Sequence, residues 1–206
     1  MSSLKLLQWM RKTGKQYYTI SDISKFLGLE GQALKVRLYR LVKNGDLQRI
    51  SRGMYAPVDT SLDVEKAANE AVYPSYISFN YALSKYGILS EVPYEMELAV
   101  LKSTRTKTIM NTVIKYRKIN KNLFFGYRVQ GGVLIAEPEK AFLDSIYFSV
   151  FGKDPVFIPE KYDIKKLNPQ KMMKYLAKYP DKVKKIVNCI KFMEKYGAGK
   201  RGWNCK

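Results

Sequence analysis

The sequence predicts an α+β protein: an N-terminal winged helix-turn-helix, a mixed α/β domain after it, and a basic helical C-terminal region. Three observations carry that prediction. Residues 18–57 run as helix, tight turn, helix and basic hairpin. The middle of the chain alternates β-branched or aromatic runs with capped helices. Beyond residue 160 the apolar residues recur at helical spacing among many lysines. The expected divisions are a winged domain at 1–58, a mixed domain at 59–155 and a lysine-rich helical region at 156–206.

A first helix is expected near the start, with Leu6, Leu7 and Met10 facing the core. Thr19-Ile20-Ser21-Asp22 announces the next one. Thr19, Ser21 or Asp22 can cap it, because a side-chain oxygen satisfies an N–H that has no partner within the helix. Ile23, Phe26 and Leu27 give it one apolar face, and Gly28 stops it, since a left-handed residue is cheapest without a Cβ. A third helix runs from Gly31 or Gln32 to Lys43, with Gly45 just beyond. Leu34, Leu38, Leu41 and Val42 fall on its core side. Its other side carries Gln32, Ala33, Val36, Arg37, Tyr39, Arg40 and Lys43. The alternation around Leu47 and Arg49 predicts a strand, Gly53 a tight turn, and Met54-Tyr55-Ala56 the return strand.

A basic hairpin after a helix-turn-helix is a wing, and the outward side of the preceding helix then faces a DNA groove. Arg37 and Arg40 suit guanine edges, Gln32 suits adenine, and Ala33 or Val36 can meet a thymine methyl. Lys35, at the boundary, and Lys43 suit phosphates. Arg49 and Arg52 suit phosphates or the minor groove. The bland alternative is a solvated basic face, or a protein partner. Tyr39 could equally pack against the wing.

A short polar connector, Val58-Asp59-Thr60-Ser61, leads into a helix over 62–72. Tyr76-Ile77-Ser78 reads as extended, with Ser78 capping a helix that Gly87 ends. Strands are expected over 95–101, 113–119, 123–129 and 133–136, with a turn at Gly131-Gly132. Pro138 opens a helix whose packing face holds Ala141, Phe142, Ser145 and Ile146. Glu137, Glu139 and Asp144 have structural readings that outweigh catalysis. Glu139 sits in a helix first turn, and Lys140 pairs with Asp144 at i, i+4. Asn168 and Pro169 start a further helix through Met172, Met173 and Leu176. Asp181 caps a last one with Val183, Ile186, Val187, Ile190 and Met193, closing at Gly197. Lys174, Lys178, Lys182 and Lys185 lie on the polar faces. They are either a solvated surface or a second contact to an anionic partner.

The net charge is +19, unevenly placed. Residues 1–58 carry eleven basic and three acidic side chains, and 160–206 carry fourteen and four, whereas 59–159 carry twelve and eleven. Positive ends around a neutral middle fit a polyanionic partner. Histidine is absent, which removes the commonest general base and a favoured metal ligand. No enzyme, no cofactor and no metal is expected. Cys189 and Cys205 are not spaced as a metal knuckle; a disulfide between them is one reading, and reduced, incidental thiols are the expected one. No apolar run spans a bilayer, and the start is too short and polar for a secretory signal, so a cytoplasmic protein without a membrane partner is expected.

Three blocks resemble a known family. Ser75-Tyr76-Ile77-Ser78 with Ala82-Leu83 and Tyr86-Gly87 looks like one block of the AbiEi-type antitoxins. Pro138-Glu139-Lys140-Ala141-Phe142-Leu143-Asp144 looks like another. The stretch from Leu41 through Gly45-Asp46-Leu47 to Arg52-Gly53-Met54-Tyr55 is similar to their winged segment. The likeness covers roughly residues 3–150 and departs at Glu137, where a small hydroxyl cap is expected. It implies an antitoxin of a type IV toxin–antitoxin pair, linked to abortive phage infection. The winged domain would repress its own promoter at inverted repeats, with a possible dimer on double-stranded DNA. The following domain would counter a cognate nucleotidyltransferase-type toxin, functionally rather than through a necessary complex. The alternatives are a stand-alone winged-helix regulator, or a nucleic-acid or partner-binding protein acting through the basic C-terminal helices.

Overall fold

The computed structural model describes residues 3–152 and 157–196. The chain divides into two compact units, Met1–Ala71 with Lys107–Val113, and Val72–Thr106 with Ile114–Lys206. The architecture is mixed α+β. Gly197, Cys205 and the division expected at 155/156 lie outside the described residues.

The first unit opens with α1 (Ser3–Thr13), whose Leu6, Leu7 and Met10 are buried as their spacing predicts. α2 (Ile20–Leu27) is capped by Thr19, the first of the three candidates. The Thr19 hydroxyl accepts from Asp22 N at 3.2 Å, while the Asp22 carboxylate accepts from Thr19 N at 2.8 Å. This reciprocal box satisfies two otherwise orphaned donors. Burial pushes the Asp22 carboxyl up, but the Thr19 hydrogen bonds and the Lys15 charge outweigh it and hold the group below its ordinary value. Gly28 ends α2 in the left-handed region at φ 65°. α3 (Gly31–Lys43) follows, burying Leu34, Leu38 and Leu41.

Two strands, β2 (Leu47–Ser51) and β3 (Met54–Pro57), form the expected antiparallel hairpin around Gly53. A two-residue strand, β1 (Tyr18–Thr19), pairs with β3 and makes the sheet three-stranded, in the order β1-β3-β2. Two residues carry no periodicity, so nothing in the local sequence marks it. Leu6, Met10, Tyr18, Ile23, Leu34, Leu38, Leu41 and Leu47 share one core, with the Trp9 ring stacked on Phe26 at 4.5 Å. α4 (Val64–Ala71) completes the helices of this unit, and Asp63 accepts from the amides of Glu65 and Lys66 at its start. Met110 N also donates to Ile50 O at 2.8 Å in this unit.

The strands after the first unit's sheet are β4 (Ser75–Ile77), β5 (Glu95–Val100), β6 (Arg105–Ile109), β7 (Thr112–Lys118), β8 (Tyr127–Gln130) and β9 (Val133–Ala136), all in the second unit except the end of β6 and the start of β7, whose residues 107–113 belong to the first. Their sheet order is β6-β7-β5-β4-β9-β8, with β4 parallel to β9 and antiparallel to β5. α5 (Phe79–Lys85), α6 (Pro138–Phe151), α7 (Pro169–Leu176) and α8 (Asp181–Tyr196) supply the second unit's helices. α5, α7 and α8 all pack against α6. Asn168 caps α7 through Lys171 N, as expected. Asp181 stands in the first turn of α8. Cys189 on α8 is not a free thiol, which corrects the expectation of a reduced one.

The expected strand over 123–129 is broken. Lys121–Leu123 forms a 3-10 turn, and Gly126 at φ 70° bends the chain before β8 begins. A Cβ on Gly126 would lie 3.2 Å from the Lys140 side chain, so aromatic content alone misled. Among the described residues no helix is long and apolar enough to cross a membrane.

Candidate nucleic-acid interface

α3 presents its outward side much as its periodicity dictates. Gln32, Ala33, Lys35, Val36, Tyr39, Arg40 and Lys43 are exposed. Tyr39 stands 66% exposed, so it does not bury itself against the hairpin. Among the described residues Lys35, Arg40 and Lys43 form no ion pair, so their charges remain available. Arg37 differs: it is half-buried and already engaged by a neighbour, which sets it apart from Arg40 on the same helix. Val42, expected in the core, is 37% exposed. It follows Leu41 by one residue, about 100° round the helix, and so falls at the edge of the apolar stripe.

The β2–β3 hairpin carries Arg49 and Arg52, both exposed. Arg49 Nε makes only a long contact, 3.4 Å, to Ser51 O. Gly53, at φ 76°, allows the turn, and its carbonyl accepts from Ile20 N at 3.1 Å. That bond fixes the hairpin against the start of α2. α3 and the hairpin therefore hold five exposed cations, Lys35, Arg40, Lys43, Arg49 and Arg52, and the more distant Lys25 of α2 lies in the same unit. Such a surface can neutralise several phosphates while aiming Gln32 and Arg40 outward. Periodicity did not reveal that Ile20, Tyr39, Val42 and Tyr55 also line an apolar groove of about 380 Å³ beside α3. The exposed Ile20 at the first position of α2 was the only local signal.

In the second unit, Lys174, Lys178, Lys182 and Lys185 are exposed. They do not form one free array. Lys178 lies over the Phe125 ring at 4.1 Å and Lys182 over Phe151 at 5.8 Å. Lys184 bonds Asp181 at 3.0 Å, and Lys171 bonds Glu137 at 2.6 Å.

The three carboxylates considered for catalysis each have a structural use. Glu137 makes no capping bond. Burial pushes its carboxyl up, but the hydrogen bonds from Lys171 and Tyr175 prevail and hold it low. Glu139 is buried and accepts from Asn168 N at 2.8 Å, joining α6 to the start of α7. Asp144 and Lys140 form the expected i, i+4 pair, yet both are wholly buried, which the sequence did not disclose. Asp144 Oδ2 accepts from Ser78 Oγ at 2.8 Å and Tyr76 Oη at 3.2 Å. Its Oδ1 accepts from Lys140 and from Tyr179 Oη at 2.7 Å. Ser78 occupies the position before α5 but spends its hydroxyl on Asp144 and caps nothing. Burial drives the Lys140 ammonium down while Asp144 pulls it back up, and burial drives the Tyr76 and Tyr179 phenols well up. Two distant sequence blocks thus meet in one closed polar cluster.

A family model described as "Transcriptional regulator, AbiEi antitoxin" matches residues 15–58. That segment contains α2, α3 and the β2–β3 hairpin, including every residue expected to meet DNA. The similar stretch at 41–55 lies within it, and the blocks around Ser75 and Lys140 lie outside it. Comparison with curated proteins finds no match.

Proposed function

We propose that the chain is a DNA-binding antitoxin of a type IV toxin–antitoxin pair. It represses its own operon through a winged helix-turn-helix and counteracts a nucleotidyltransferase-type toxin. One observation carries the DNA reading. The segment similar to regulator antitoxins also holds the exposed cationic side of α3 and the arginine-bearing hairpin.

In this reading Gln32, Val36 and Arg40 approach base edges in the major groove. Lys35, Lys43, Arg49 and Arg52 hold phosphates and set the register. Tyr39, exposed beside them, contacts the sugar–phosphate strand. Arg37 acts partly by positioning, since it is half-buried and already engaged in an interaction. Inverted repeats would seat two copies, with dimerisation on the DNA itself. Residues 1–58 are the DNA-binding part, 59–155 carry the antitoxin function, and 156–206 add a secondary anion contact through Lys174, Lys178, Lys182 and Lys185. Lys174 and Lys185 are the best placed of these, because among the described residues no ring or carboxylate holds them. The protein acts by binding, in the cytoplasm where its promoter is, and not by catalysis. The structural engagement of Glu137, Glu139 and Asp144 supports that choice.

The test is a footprint on the DNA upstream of the gene at stated salt concentrations. Protection of a paired repeat supports the proposal, and uniform weak binding to any DNA contradicts it. Co-expression with the product of the adjacent reading frame tests the antitoxin part. Growth should be restored by the whole chain and not by residues 1–58 alone.

A further inference from the structure

The groove beside α3 has a composition that DNA binding does not require. It is lined by Ile20, Gly31, Leu34, Lys35, Leu38, Tyr39, Val42, Arg49 and Tyr55, and encloses about 380 Å³. Leu34 and Leu38 are buried at its floor, and Ile20, Val42 and Tyr39 leave large apolar surfaces open to solvent around it. Sites of several hundred Å³, mostly apolar with a few converging polar groups, are the usual form of small-molecule pockets. The polar groups here are one ammonium, one guanidinium and two phenols. No carboxylate lines the groove. Among the described residues Lys35 has no ion pair, and Arg49 has only its long contact to Ser51 O. The lining is therefore complementary to one kind of occupant: an apolar body bearing a single negative charge.

We propose that this groove binds a small organic monocarboxylate with an aromatic or medium-length aliphatic body. The body lies against Ile20, Leu38, Val42 and Tyr55, and the carboxylate is held by Lys35 and Arg49. The consequence rests on the DNA reading of α3. Lys35 and Arg49 would be needed by both ligands, so an occupant in the groove competes with DNA phosphates for the same two cations. Binding of the acid would then loosen the protein from its operator and make repression responsive to a metabolite. No conformational change is needed for this, because the two ligands share charged groups and surface.

The experiment uses the full chain with 4-phenylbutyrate as probe and its uncharged amide as control. Amide-resolved NMR titration should show saturable binding of the acid at about 1 mM or tighter, as expected for a dozen heavy atoms. The shifts should be confined to residues 20, 31–42 and 49–55. Lys35→Ala with Arg49→Ala should weaken the acid at least about tenfold and leave any binding of the amide unchanged. Val42→Trp, which fills the groove without touching either cation, should abolish binding of the acid, with melting of each variant confirming that it is folded. Equal affinity for acid and amide would overturn the inference, as would shifts centred elsewhere or no binding up to 10-fold above that concentration. Binding of upstream DNA is measured in parallel. Should DNA bind while the acid does not, only the inference falls. Should the acid bind while DNA does not, the DNA reading falls and the groove stands.

Discussion

Replacing Lys140 by Met should destabilise the chain far more than an ordinary i, i+4 pair on a helix surface would suggest. Such exposed pairs contribute only about 0.3–0.5 kcal/mol. Here both partners are wholly buried, and the lysine donates to Asp144 and, at 2.6 Å, to Tyr179 Oη. The substitution leaves Asp144 as an uncompensated buried charge, still accepting from Ser78, Tyr76 and Tyr179. Breaking a buried pair by removing one member costs about 3–5 kcal/mol. Urea denaturation of the full chain should then show the transition that involves the second unit shifted down by roughly 2 M, at a slope of about 2 kcal/mol per molar. Asp144→Leu alone should also be costly, because it strands the ammonium and three hydroxyls. The double variant should lose less than the sum of the two singles, by at least about 1 kcal/mol, since it removes both charges together. A Lys140→Met loss under about 1 kcal/mol, or strict additivity in the cycle, would refute the reasoning that this cluster is dry and mutually satisfied.

Four further outcomes are expected. Thr19→Ala should cost about 1 kcal/mol of stability in the first unit by opening the box with Asp22, and Thr19→Ser should restore most of it; thermal melting of the two variants checks this. Arg40→Ala should weaken operator binding by about 1–3 kcal/mol with an unchanged melting temperature. Arg37→Ala should lower both affinity and melting temperature, because Arg37 is half-buried and already engaged, so matched anisotropy and melting data separate the two roles. The Glu137 carboxyl is held low in the folded state despite its burial, so its contribution is present above the unfolded value near 4.3 and is lost as pH falls through the lower folded value. Stability measured from pH 7 down to pH 2 should therefore fall less steeply for Glu137→Gln than for the parent chain.

Local chemistry made much of the fold readable before any coordinates. Thr19, Gly28 and Gly53 act through side-chain oxygens and backbone angles that depend on immediate neighbours, and each stands where that chemistry puts it. The outward side of α3 follows from an uninterrupted helical period, and only Val42, at the stripe edge, and Arg37, half-buried, depart from it. Long-range consequences were hidden. Lys140 and Asp144 were recognisable as partners, but their burial depends on Tyr76 from β4 and on Tyr179 between α7 and α8. β6 was missed because Arg105-Thr106-Lys107-Thr108 is polar, although its β-branched threonines were a usable hint. The groove beside α3 required the hairpin and the first residue of α2 to be placed together, which no single segment encodes.

The most direct test compares the parent chain with an Arg40→Ala, Lys43→Ala variant on upstream DNA and on a scrambled duplex, across a salt series. These two side chains are exposed and, among the described residues, form no ion pair, so the variant should keep its fold. The account predicts that preference for the upstream sequence falls at least about tenfold and that the salt slope drops by close to 1 per lost phosphate contact. Undiminished preference and an unchanged slope would show that DNA, if bound at all, meets some other surface.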